Sequence, residues 1–209
     1  MSSLTHYASD VAFTDTVKRI QAERGSRRSY ERMERASGGF PSAISSELAA
    51  FVAERDSAYI ATANAAGQPY VQHRGGPPGF LKVLDDHTLA FADFTGNKQY
   101  ITTGNLLEND RAFLFLMNYA DGERIKLWGR ARVVTDDEAL FERLADPSYP
   151  ARVEQAIVFD VEAWNANCPQ HIPQLVHLDD VQQAIAALRE RNAYLEATLR
   201  AANVAFEAA

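Results

Sequence analysis

The sequence predicts a mainly β (α+β) fold: six or seven short antiparallel strands forming a small barrel or sandwich, with peripheral helices and a long C-terminal helix. Three observations carry that expectation. Between residues 58 and 134 the chain runs through short apolar or alternating segments separated by turn signals such as Gly67-Gln68-Pro69, Asp85-Asp86-His87 and Asp121-Gly122. Short connections such as Asp121-Gly122 make antiparallel hairpins, not parallel crossovers. From Leu178 onward the apolar period changes to one long helical stripe.

Taken in order, residues 1–41 read as a helical N-terminal arm. Thr14 caps a helix running through Arg24, Gly25-Ser26 interrupts it, and a second charged stretch runs from Arg27 to Arg35 before Gly38-Gly39-Phe40-Pro41 breaks the chain. Its cations read as a solvated helical face. Residues 42–175 form the body. Ser45 or Ser46 opens a helix carrying Leu48, Phe51 and Val52 and ending near Arg55. Strands are expected at 58–63, 70–72, 80–84, 88–94, 112–119 and 123–134, a short helix at 136–144, and a seventh strand at 155–161. Ala112 to Met117 is apolar on both faces and is expected to be covered on both. In the strand after it, Arg124, Lys126, Arg130 and Arg132 share one face with Trp128, opposite a core face of Ile125, Leu127, Ala131 and Val133.

Residues 176–209 are the C-terminal helix. Val181, Ile185, Leu188, Asn192, Leu195 and Leu199 step by four and three, a heptad pattern with Asn192 at an a position that fits a coiled-coil dimer contact or, as the alternative, packing of the helix on its own barrel.

The totals exclude several classes. With 21 Lys and Arg against 28 Asp and Glu, the chain carries a formal charge of -7, unsuited to general nucleic-acid binding. One cysteine, Cys168, forms no intramolecular framework and suits a reducing compartment; with no signal-like or membrane-length apolar run, the expected location is cytoplasmic. Cys168-Pro169-Gln170-His171 lacks a second ligand pair, so it reads as a packed loop and no metal is expected.

The chemistry concentrates between Val71 and Lys126. Arg74 offers a bidentate fork, and Lys82 and Lys98 offer compact charges. Gly75 and Gly76 permit close backbone approach, and Lys98 stands where a helix reaching Leu107 is expected to begin. Such a set suits a phosphate-bearing ligand. His73, Asn105, Arg124 and Lys126 are the candidates for the polar edge of a flat ring, with Phe80 and Leu81 beside Lys82 in the same segment. A flavin mononucleotide (FMN), a sugar phosphate or a deazaflavin all meet this description. There is no GxxxxGK[ST] loop and no GxGxxG turn.

The combination His73-Arg74-Gly75-Gly76-Pro77-Pro78-Gly79-Phe80-Leu81-Lys82, Gly96-Asn97-Lys98, Gly104-Asn105 and Leu127-Trp128-Gly129-Arg130 resembles the pyridoxamine 5'-phosphate oxidase-related flavoproteins, in the branch with an HRGGPPGF-type motif. The resemblance spans about residues 45–175, including Asn167 to His171. It implies an FMN-binding split barrel, a homodimer with cofactor sites at the subunit interface, and an FMN-dependent oxidoreductase acting on a small molecule. A non-catalytic flavin carrier or sensor, or a haem- or deazaflavin-binding barrel, is the alternative. By the same resemblance Arg74, Lys82, Asn97 and Lys98 approach the phosphate, Asn105 lies near the flavin, and Arg124 and Lys126 reach the flavin of the other subunit. Neither a nucleic-acid nor a membrane partner is expected.

Overall fold

The computed structural model describes residues 6–166 and 170–203. The chain forms two compact units: one holds the residues through Asn118 together with Glu123–Gln170, and the other holds Tyr119–Gly122 with the residues from His171 onward.

The first unit opens with a 3-10 turn at Ala8–Val11 and the helices α1 (Asp15–Glu23), α2 (Arg27–Ser37) and α3 (Ser46–Ala53). Thr14 caps α1 and Ser45 caps α3, each side-chain oxygen accepting the amide three residues on. The strands β1 (Ser57–Ala63), β2 (Pro69–Gly75), β3 (Lys82–Val83), β4 (Thr88–Phe94), β5 (Arg111–Asn118), β6 (Glu123–Val134) and β7 (Val153–Ala166) make one antiparallel sheet in the order β2-β1-β5-β6-β7-β4-β3. Helix α4 (Ile101–Glu108) joins β4 to β5, and α5 (Glu138–Leu144) joins β6 to β7.

No backbone ladder joins the two edges of the sheet among the described residues, so the barrel is split. It is nonetheless rolled. Arg74 on β2, the first strand in the order, is ion-paired with Asp93 on β4, the sixth. Ile60, Leu114, Leu116, Leu127, Phe91, Phe159 and Ile157 fill the interior, and α3 contributes Leu48 and Val52 to the same core. Strand β4 is buried on both faces because Ala90 and Ala92 turn outward into a second small core with Leu144, Ala156 and Val158. Gly129 sits at a register shift between β6 and β7. A Cβ there would lie 2.1 Å from the Asp160 carbonyl oxygen, so only glycine fits.

Several expected boundaries move. The strand expected at 70–72 runs through Gly75, so His73 and Arg74 are strand residues, not loop residues. The strand expected at 80–84 shrinks to Lys82–Val83. Gly79 has a φ of +79° and donates its amide to the Arg55 carbonyl, a turn that sinks Phe80 into the core against Phe91 instead of leaving it in a ladder. The face of β6 expected to carry four cations divides. Arg130 is paired with Asp110 and Glu162, and Arg132 with Asp160. The alternation of β5 leaves Leu114 and Leu116 buried and Phe113, Phe115 and Met117 only half-buried.

In the N-terminal segment, Glu34 is buried and accepts hydrogen bonds from Arg27 and Ser9. An aromatic series runs from Tyr30 through Phe13 and Phe40 to Trp128 on β6.

In the second unit, Gly122 has a φ of +70°, and the carbonyls of Tyr119 and Ala120 accept the Leu175 amide and the Gln174 side-chain amide. Helix α6 (Leu178–Ala201) starts where the sequence places it. Cys168 and its neighbours 167 and 169 lie outside the described residues.

Candidate functional site

Strand alternation puts Tyr70, Gln72 and Arg74 on one face of β2. That face forms one wall of a cleft of about 240 Å³. The end of β4 (Asp93, Phe94), the segment Gly96–Tyr100, the first turn of α4 (Ile101–Thr103), and Glu154 and Gln155 of β7 supply the rest.

Its polar groups are tied together. Arg74 donates to Asp93 and, through Nη2, to the Gln72 side-chain oxygen at 3.0 Å, which also accepts from Thr102 at 2.6 Å. Asp93 is buried, and its second oxygen accepts from Gln155 Nε2 at 2.8 Å; that nitrogen lies 2.9 Å from Thr103 Oγ1 as well. Arg74 Nε remains: it is buried and has no hydrogen-bond partner among the described residues. An orphaned charged donor is expensive to keep dry, and a bound acceptor removes that cost. At the rim, Lys98 and Asn97 are exposed, and Tyr100 donates to Glu154 at 2.7 Å. That bond holds the Tyr100 phenol above its ordinary pKa.

Of the expected residues, the fold brings Arg74, Asn97 and Lys98 to this cleft. Lys82 does not line it. Its charge is felt by Asp146, whose carboxyl is held below the usual range first by hydrogen bonds from Ser148 and last by Lys82. Phe80 and Leu81 are core residues, 5% and 1% exposed, and cannot touch a ligand in the cleft. Gly75 and Gly76 do not present amides to an anion as a pair. The Gly76 amide donates to the Asp56 carbonyl, and a Cβ at Gly75 would press on His73. Lys98 does not begin a helix. It has a left-handed φ of 58°, and α4 starts at Ile101 after a left-handed Tyr100. The turn of α4 that lines the cleft is residues 101–103, whose first-turn amides have no intrahelical acceptor.

Asn105 is buried on the inner side of α4 and donates to Thr62 Oγ1 at 3.0 Å. His73, Arg124 and Lys126 belong to the other face of the sheet. His73 packs edge-on against Tyr59, and Lys126 lies 5.5 Å from the Trp128 ring centroid. Burial, with a smaller contribution from Arg124, lowers the Lys126 pKa below the ordinary lysine value.

Gln72, Tyr100, Thr102, Thr103, Glu154 and Gln155 are cleft residues that sequence reasoning missed. Gln72 was within reach, because it lies two residues from Arg74 on an alternating strand.

A family model described as pyridoxamine 5'-phosphate oxidase matches residues 44–168, which include the whole cleft. The chain belongs to the pyridoxamine 5'-phosphate oxidase family. This is a family of flavin-binding split barrels. No curated protein matches the chain. Solved structures similar to it include HupZ of Group A Streptococcus, 16% identical, covering 64% of this chain and 99% of that one at a TM-score of 0.45. An FMN-binding protein from Syntrophomonas wolfei is 14% identical and covers 75% of this chain and 99% of its own, with a TM-score of 0.46. A protein from Clostridium acetobutylicum related to general stress protein 26 is 16% identical, with coverages of 65% and 94% and a TM-score of 0.43. Membership in the family rests on the family model.

Proposed function

We propose that this chain binds FMN, with the phosphate in the β2–α4 cleft, and works as an FMN-dependent oxidoreductase on a small molecule. The observation that carries the reading is Arg74, a cleft residue whose buried Nε has no hydrogen-bond partner among the described residues, together with the exposed Lys98 and the first turn of α4 that line the same cleft. Two cations and helix amides are what a phosphate near dianionic charge needs. Asp93 offsets part of the Arg74 charge, so Lys98 is the full cation that a ligand meets at the rim.

Size fixes how much of the ligand enters. Pockets that hold a whole drug-sized ligand measure about 300–1,000 Å³, more than the 240 Å³ of this cleft. The cleft therefore takes the phosphate end, and the ring lies beyond it. On this reading the ring meets the outer sheet face of a second copy in a homodimer, where Arg124, Lys126 and half-buried Phe115 and Trp128 supply cations and apolar surface. A cation near the ring's pyrimidine edge favours the reduced state. When bound, the flavin supplies the redox chemistry, and the chain contributes binding, orientation and electrostatics. A cytoplasmic location belongs to the same proposal. Among the described residues no helix is long and apolar enough to cross a membrane.

Mass spectrometry of the ligand released from purified full-length protein tests the cofactor. FMN is the expected mass; a deazaflavin, haem, or a colourless chain that takes up no FMN contradicts the proposal. Anaerobic mixing of the loaded protein with NADH or NADPH then separates enzyme from carrier. Bleaching of the flavin supports an oxidoreductase, and failure with both donors and with dithionite-reduced turnover of small acceptors favours a carrier.

A further inference from the structure

We propose that α6 pairs with α6 of a second copy of this chain as a parallel, in-register two-stranded coiled coil. The helix is 24 residues, about 36 Å long at 1.5 Å per residue. None of its residues is buried, although Leu178, Val181, Ile185, Leu188 and Leu195 are between 38% and 68% exposed on one stripe. In proteins most helical stability comes from packing an amphipathic face, and this one has no covering partner among the described residues.

The pattern says what covers it. Leu178, Ile185, Asn192 and Leu199 occupy a positions, and Val181, Leu188 and Leu195 occupy d positions. In a parallel, in-register pair the two Asn192 side chains meet and satisfy each other's amide. Antiparallel pairing sets a against d, so each Asn192 would face leucine and lose its hydrogen bonds. Charge agrees with this. Arg191 at g reaches Glu196 at e of the partner helix, five residues on, and the pair forms twice by symmetry. Within one chain Glu196 accepts from exposed Arg200 at 3.0 Å, and Arg191 rests 5.7 Å from the Tyr194 ring centroid. Both contacts are of the weak surface kind and leave the g–e pair free to form. The inference stands on α6 alone and does not depend on which ligand the cleft binds.

The test places single cysteines in full-length chains that also carry Cys168→Ser. Val181→Cys at d is expected to form a disulfide-linked dimer under mild oxidation at least tenfold faster than Gln183→Cys on the opposite side of the helix. Mixing Val181→Cys with Leu199→Cys chains, which antiparallel pairing would bring together, is expected to yield no mixed dimer. Arg191→Glu in the Val181→Cys chain slows linking, and adding Glu196→Arg restores it, which a merely helix-stabilising role would not do. Equal linking at 181 and 183, absence of linking at 181, or preferential 181–199 linking overturns the proposal.

Discussion

Replacing Arg74 by methionine removes the cation facing Asp93 while keeping a long side chain. Both partners are well buried, with side-chain exposures of 16% and 9%. Breaking a buried ion pair from one side costs about 3–5 kcal/mol, because the remaining charge is left without its counter-ion. Gln155 still donates to the second Asp93 oxygen, so the lower end, about 3 kcal/mol, applies. For a chain of this size each kcal/mol moves Tm by about 2–4 °C, giving a fall of about 6–12 °C. The companion variant Arg74→Met/Asp93→Leu removes both charges. Apolar replacement of a whole buried pair is often neutral, so the double variant is expected within about 1 kcal/mol of the parent. The assay is urea unfolding of flavin-free protein, followed by Trp128 and Trp164, which both lie in the sheet. A loss below about 1 kcal/mol for Arg74→Met, or a double variant as unstable as the sum of the two single ones, would refute the view that this pair locks β2 to β4.

Gly129→Ala drives a Cβ into the Asp160 carbonyl, backbone that cannot swing aside. Stability should fall by about 3 kcal/mol, the upper part of the overpacking range, in the same urea assay. Phe40→Ala removes a 7%-exposed ring lying between Phe13 and Trp128. A loss of about 3 kcal/mol is expected, with faster hydrogen exchange in α1 and α2 than in the sheet. Lys126, in reductively methylated protein, should titrate below the ordinary lysine value when followed by carbon-13 NMR. The sign is that of a folded pKa below the unfolded one: between the two values the unfolded chain binds more protons, so this group alone makes stability rise with pH. The raised pKa of Tyr100 acts in the opposite sense, which is why a site-resolved titration is the proper readout.

How much of this was legible in the sequence varies with the range of the interaction that decides it. Strands 88–94 and 123–134 were read to the residue, because alternation and the flanking turns are local signals. Helix caps at Thr14 and Ser45 are local too. The HRGGPPGF run misled in both directions. Its glycines and prolines look like a loop, so β2 was cut short before Arg74, and Phe80-Leu81 looked like strand residues beside a ligand. What settles them is contact with distant chain: Gly79 with Arg55, and Phe80 with Phe91. The cleft shows the same limit. Arg74 and Lys98 were found from residue type and Asn97 from the family resemblance, but Asp93 and Gln155 join Arg74 only because the sheet rolls β2 toward β4. Lys82 offers similar chemistry but does not line the cleft, a difference that no spacing rule contains.

The central claim is that the β2–α4 cleft is a phosphate site for a flavin. Riboflavin is FMN without the phosphate, so titrating both into flavin-free, full-length protein by flavin fluorescence isolates that group. Two charge-assisted contacts at about 1.5 kcal/mol each predict FMN binding at least a hundredfold tighter than riboflavin. Lys98→Ala, at an exposed residue, is expected to lose about tenfold for FMN and nothing for riboflavin. Equal affinity for the two ligands, or a Lys98→Ala variant that binds FMN as well as the parent, would contradict the account.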